Sequence, residues 1–125
     1  MWRILALDDN KTILEIYQEV VADNGGEVVC VVSNEGALKL LEEGGFDEVV
    51  VDWNLHPKGL PQGPYTDVVI HRAVELGLPI TVRSGTDDST GRLVRLEAEI
   101  GGRVPFQVLG KYASIGEMGR APERR

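Results

Sequence analysis

Five short apolar runs, separated by stretches with helical spacing, limit this chain more than any other feature. The runs occupy residues 4–7, 28–32, 49–51, 80–82 and, more weakly, 106–109. The first two, Ile4-Leu5-Ala6-Leu7 and Val28-Val29-Cys30-Val31-Val32, are almost continuously apolar instead of alternating. Strands of a parallel sheet covered on both faces read this way. Between the runs, Ile13, Leu14, Ile16, Tyr17, Val20 and Val21 make one apolar helix face, ended by Asn24-Gly25-Gly26. Ala37, Leu38, Leu40 and Leu41 make a second, with Ser33 or Asn34 as its cap and Gly44-Gly45 as its stop. The pattern predicts a third helix over residues 65–76, ending at Gly77 before Pro79, and a fourth over 89–100, ending at Gly101-Gly102. Strand-helix alternation of this kind implies right-handed crossovers and an open, doubly wound α/β sheet.

At 125 residues the chain is one domain, with no internal repeat and no linker. Its net charge of −7 argues against a nucleic-acid partner, which needs a basic face. The basic cluster in residues 120–125 contains Glu123 and reads as a fraying tail. No run approaches the roughly 18 apolar residues of a membrane span, and the N-terminus lacks the apolar core of a signal peptide. A cytoplasmic protein without membrane contact is expected. The single cysteine, Cys30, rules out an internal disulfide and lies in an apolar run, so a buried, reduced thiol is expected there.

In an open parallel sheet, ligands bind outside the carboxyl ends of the strands. The informative polar residues cluster there: Asp8 and Asp9 close the first run, Asp52 the third, Ser84 the fourth and Lys111 the fifth. Three carboxylates at one rim repel one another unless a cation sits among them. Mg2+ suits that place, being a hard ion held by carboxylates, waters and a phosphate oxygen. Lys111 adds a fixed positive charge and Ser84 a hydroxyl donor. An anion between metal, ammonium and hydroxyl would be well stabilised, as phosphoryl transfer requires.

The arrangement resembles the receiver domains of two-component response regulators, typified by the chemotaxis regulator. The matching residues are the acidic pair in Leu7-Asp8-Asp9-Asn10, the acidic residue in Val51-Asp52-Trp53-Asn54, the hydroxyl-small pair Ser84-Gly85, and Lys111. The match runs from Arg3 to about Tyr112. The resemblance implies a flavodoxin-like sheet in the order 2-1-3-4-5, with residues 1–113 as the receiver domain and 114–125 as a short helix stub and tail. It implies that Asp52 accepts a phosphoryl group from a phosphohistidine on a sensor histidine kinase or phosphotransfer protein. Asp9, Asp52 and the Asn54 carbonyl would be Mg2+ ligands, with Asp8 bound directly or through water, while Ser84 and Lys111 would contact the phosphoryl oxygens. Such a module is not an enzyme acting on an outside substrate. It assists its own phosphotransfer and dephosphorylation and signals to a downstream protein partner.

The chain departs from the family in four places. Tyr112 stands where a proline usually follows the lysine, and Val108 stands at the aromatic position three residues before it. The loop after Asp52 carries about three extra residues, judged from Gly63, and the last helix is expected to be a stub.

Blander readings stand beside these. Asp8 and Asp9 could be a helix N-cap pair, and Asp52 a plain strand exit, although a carboxylate after three valines is costly without a partner. Trp53 is either a rim residue beside the site or a packing residue. Arg83 reads as an apolar-covering stem with its head in water. His56 and His71 read as surface residues, and Thr86-Asp87-Asp88 as a turn into a helix. A pseudo-receiver that docks without phosphorylation is the alternative function. A phosphohydrolase is disfavoured because the position two beyond Asp52 is Asn54, not a second acid. Finally, Ser114 and Glu117 could start only a short last helix before Gly119 and Pro122. Apolar surface near Phe106, Val108 and the first helix is therefore expected to be bare, and to seat a homodimer or a partner.

Overall fold

The computed structural model describes residues 2–55, 65–84 and 91–110. Within them, strands and helices alternate strictly: β1 (Trp2–Leu7), α1 (Lys11–Asp23), β2 (Gly26–Val31), α2 (Asn34–Glu43), β3 (Glu48–Asp52), α3 (Asp67–Glu75), β4 (Ile80–Ser84), α4 (Arg92–Ile100) and β5 (Phe106–Gly110). The strands form one parallel sheet in the order β2-β1-β3-β4-β5. The expected α/β flavodoxin-like topology is therefore the one the chain adopts. The proposed stub in residues 114–125, with its boundary after residue 113, lies outside the described residues.

Alternation of side chains along the strands divides the core in two. Leu5, Leu7, Val49, Val51, Ile80 and Val82 pack against α2, α3 and α4, while Ile4, Ala6 and Val50 pack against Leu14, Tyr17 and Val21 of α1. β3 is buried along its whole length, as an inner strand must be. β2 is only half-buried because it is a sheet edge, and Cys30 within it is accordingly half-buried too, not enclosed.

Helix ends follow local chemistry. The Ser33 Oγ accepts the Gly36 amide at 3.1 Å and starts α2. The Asn10 side chain accepts the amides of Thr12 and Ile13 and starts α1. Gly44, with φ of 78°, stops α2 in a backbone conformation that other residues rarely adopt. α3 begins two residues later than its apolar spacing predicts, because Tyr65 pairs with Asn54 in an isolated antiparallel bridge and Thr66 is the N-cap.

The expectation of a bare patch formed by Phe106 and Val108 beside α1 is corrected by the register. Val108 pairs with Val82 and Phe106 packs into the larger core, so both face α2, α3 and α4. The α1 side of β5 carries Gln107, which donates to the Thr81 hydroxyl, and Leu109, which packs toward α1. Val108 is exposed, but on the other face from the one expected.

Candidate metal and phosphoacceptor site

Asp8 and Asp9 follow directly on β1, and Asp52 is the last residue of the neighbouring β3. The pairing of Leu7 with Val51 brings these two strand ends level. One carboxylate oxygen from each of Asp8, Asp9 and Asp52 lies within 4.8 Å of the others. Asp8 and Asp52 are buried, and Asp9 is more open. Three hard oxygen donors converging at one point, two of them withdrawn from water, are the donor set a Mg2+ ion takes. The residues present therefore fit the ion the sequence implied.

Asp8 uses its two oxygens differently. Its Oδ1 accepts the Asn10 amide at 2.9 Å, which fixes the turn into α1. Its Oδ2 stands 3.8 Å from Nη1 of Arg83. The helix-cap reading of the acidic pair is thus corrected: Asn10 is the cap, and Asp8 shapes the turn that leads into it.

Asn54 lies two residues past Asp52 and is tied to Tyr65 by the antiparallel bridge. Ser84 ends β4, half-buried, one residue beyond the pairing of Asp52 with Arg83. β3 and β4 therefore bring Asp52 and Ser84 to the same rim. Lys111 and Gly85 lie outside the described residues, as do His56, Gly63, Tyr112 and Thr86-Asp87-Asp88.

Two features escaped the sequence reading. Arg83 is buried at 3% exposure, not a stem with its head in water. Its Nη1 donates to the Tyr17 hydroxyl at 2.9 Å, and its guanidinium carbon lies 5.7 Å from the centre of that ring. Burial pushes the Tyr17 phenol well above its usual range, partly offset by Arg83 and reinforced by the charges of Asp8 and Asp52. Thr66, fully buried, donates its hydroxyl to the Asp52 carbonyl at 2.7 Å. Its amide also donates to the Trp53 carbonyl at 3.1 Å. An arginine directly before a strand-end serine, straight after Ile80-Thr81-Val82, was the one sequence signal that could have marked Arg83.

Trp53 is a packing residue: it is 2% exposed and its ring centre is 5.1 Å from that of Tyr65. Both rings, with His71, Arg92, Arg95 and Leu96, line a cavity of about 500 Å³ between α3 and α4. None of the three clustered carboxylates lines it. His71 is a surface residue, as expected.

No protein-family model matches the sequence, and no curated protein matches it at a significant level. Solved structures do match. The response-regulator receiver protein of Sinorhizobium medicae shares 26% identity over 98% of this chain and 92% of its own, with a TM-score of 0.74. This chain has the receiver fold of response regulators. A CheY-like receiver domain protein from Methanospirillum hungatei superposes with a TM-score of 0.77 at 17% identity, covering 99% of this chain and 92% of that one. A response regulator from Thermotoga maritima, solved in complex with Mg2+ and beryllofluoride, gives a TM-score of 0.72 at 21% identity over 99% and 98% of the two chains. In the receiver fold of this chain, the acidic cluster sits outside the carboxyl ends of β1 and β3, where an open parallel sheet binds ligands. Among the described residues no helix is long and apolar enough to cross a membrane.

Proposed function

We propose that this chain is the phosphoacceptor module of a two-component signalling system, with Asp52 as the acceptor and Mg2+ bound beside it. The observation that carries the reading is the convergence of Asp8, Asp9 and Asp52 within 4.8 Å at one rim of a receiver fold. Buried carboxylates held together without a purpose would cost stability, so a phosphorylation-independent docking module has no use for them.

In this reading Asp9, Asp52 and the Asn54 carbonyl hold the ion, with Asp8 bound directly or through a water. When bound, Mg2+ offsets the carboxylate charge and favours a phosphoryl oxygen at the site. A carboxylate oxygen of Asp52 bonds to phosphorus as the P–N bond to the donor imidazole breaks, giving an acyl phosphate and a free imidazole. Ser84 donates its hydroxyl to a phosphoryl oxygen, and Lys111 supplies a compensating charge. The donor is a phosphohistidine on a sensor kinase or phosphotransfer protein, and the reader is a downstream protein partner in the cytoplasm. The chain assists its own phosphorylation and dephosphorylation and turns over no separate substrate.

Incubation with a small acyl phosphate donor and Mg2+ should add one phosphate, labile to hydroxylamine. Asp52→Asn should abolish it. Full hydroxylamine-labile incorporation in that variant would sink the assignment.

A further inference from the structure

Among the described residues, Arg83 is the one basic side chain in the buried core. It is register partner to Asp52 across β3 and β4, so the two side chains leave the sheet on the same face. From there Nη1 reaches both the Tyr17 hydroxyl, at 2.9 Å, and Asp8 Oδ2, at 3.8 Å. A guanidinium is always charged, and burying one is costly unless that charge is matched. Here the match is the acidic site itself. Among the described residues of the site, Asp8, Asp9 and Asp52 carry a formal −3 and Arg83 offsets one of those charges, so the acids keep an excess of negative charge for a cation to neutralise.

We propose that Arg83 is a built-in counter-ion of the acidic site, balancing Asp8 in the metal-free protein and thereby setting how tightly Mg2+ binds. The inference rests on the metal reading given above. Tyr17 is the positioning residue: its hydroxyl takes the same Nη1 that faces Asp8 and holds the head group under α1. An entering dication meets a like charge a few ångströms from one of its ligands, and Asp8 must be shared or released. Mg2+ affinity is therefore held below what three carboxylates alone would give, and the metal-free site holds together without the full mutual repulsion of its acids.

The test is calorimetric titration of the full chain with MgCl2. Arg83→Met keeps the stem and removes the charge, and Arg83→Lys keeps the charge. Mg2+ should bind Arg83→Met about tenfold more tightly than wild type, because one nearby elementary charge is removed. Arg83→Lys should stay near wild type. Without metal, Arg83→Met should melt at lower temperature and regain more on adding Mg2+. An Arg83 that only packs against Tyr17 would lower the melting temperature and leave Mg2+ affinity unmoved. Equal affinity in folded Arg83→Met therefore overturns the proposal alone. Absence of Mg2+ binding in wild type and variant alike overturns the metal reading and the proposal with it. Should Arg83→Met fail to fold, the wild-type Arg83 Nε–H resonance decides. It must move along the Mg2+ titration, and a resonance unmoved at saturation overturns the proposal.

Discussion

Replacing Thr66 by valine removes one hydroxyl and almost no volume, at a position fully withdrawn from water. That hydroxyl donates to the Asp52 carbonyl at 2.7 Å and lies 3.3 Å from the Trp53 carbonyl. Losing a buried hydrogen bond of this kind costs roughly 1 kcal/mol, and leaving its acceptor poorly matched adds roughly 1–2 kcal/mol more. A destabilisation of about 2–3 kcal/mol is expected, which for a domain of this size lowers the melting temperature by roughly 7–12 °C. Urea unfolding should show a lower midpoint with the slope unchanged, since the surface exposed on unfolding stays the same. The change should also reach the chemistry. Thr66 ties the start of α3 to the backbone of Asp52, the proposed acceptor, so phosphoryl incorporation from a small donor should slow in the valine variant even where it is fully folded. Thr66→Ser keeps the hydroxyl and should keep that rate, losing only the packing of a methyl group. Stability within about 0.5 kcal/mol of wild type in Thr66→Val, the spread of an ordinary surface change, would refute the reasoning.

Asp9→Ala should weaken Mg2+ binding and raise stability in the absence of metal, because two carboxylates repel less than three; an unchanged titration contradicts the ligand assignment. The Tyr17 phenol, held above its ordinary value of 10 by burial, stays protonated in the folded protein after it would ionise in the unfolded chain. Its contribution to stability is therefore complete below about pH 10 and falls as pH rises above that value. Urea unfolding compared at pH 9 and pH 11 should show a smaller loss in Tyr17→Phe than in wild type, and an equal loss would contradict it.

Much of the fold was legible because inner parallel strands announce themselves. Runs such as Val49-Val50-Val51 have no polar alternation, and each run of this kind ends at the carboxyl rim. Asp8, Asp9 and Asp52 could be read for the same reason: Asp8 and Asp52 are each the first charge after an apolar stretch and Asp9 adjoins Asp8, so strand order and a level register suffice to bring them together. Four features did not yield to that reasoning. The burial of Arg83 depends on Tyr17, 66 residues away on a helix whose position over the sheet no local pattern specifies. Thr66 falls inside the third helix that the apolar spacing predicts, yet it is the N-cap, and its side chain makes no cap bond but turns back to the strand of Asp52. The sequence points Phe106 and Val108 to the wrong face because β5 is a weak run, and only its pairing with Val82 and Ile80 sets which residues look toward α1. β2 is as apolar as an inner strand but lies at the edge, so composition overstated its cover.

The turn from β1 into α1 is built on a carboxylate that also belongs to the acidic cluster, since Asp8 accepts the Asn10 amide and Asn10 caps the helix. If the cluster holds the proposed ion, helix initiation and ion capture are coupled equilibria. Whatever draws charge from Asp8 alters the free energy of the first turn of α1. By reciprocity, the factor by which a bound ion shifts the opening of that turn is the factor by which an open turn shifts the ion's affinity. A substitution that loosens the turn, such as a change at Thr12, therefore lowers affinity in proportion to the open turn it populates, without touching the ion.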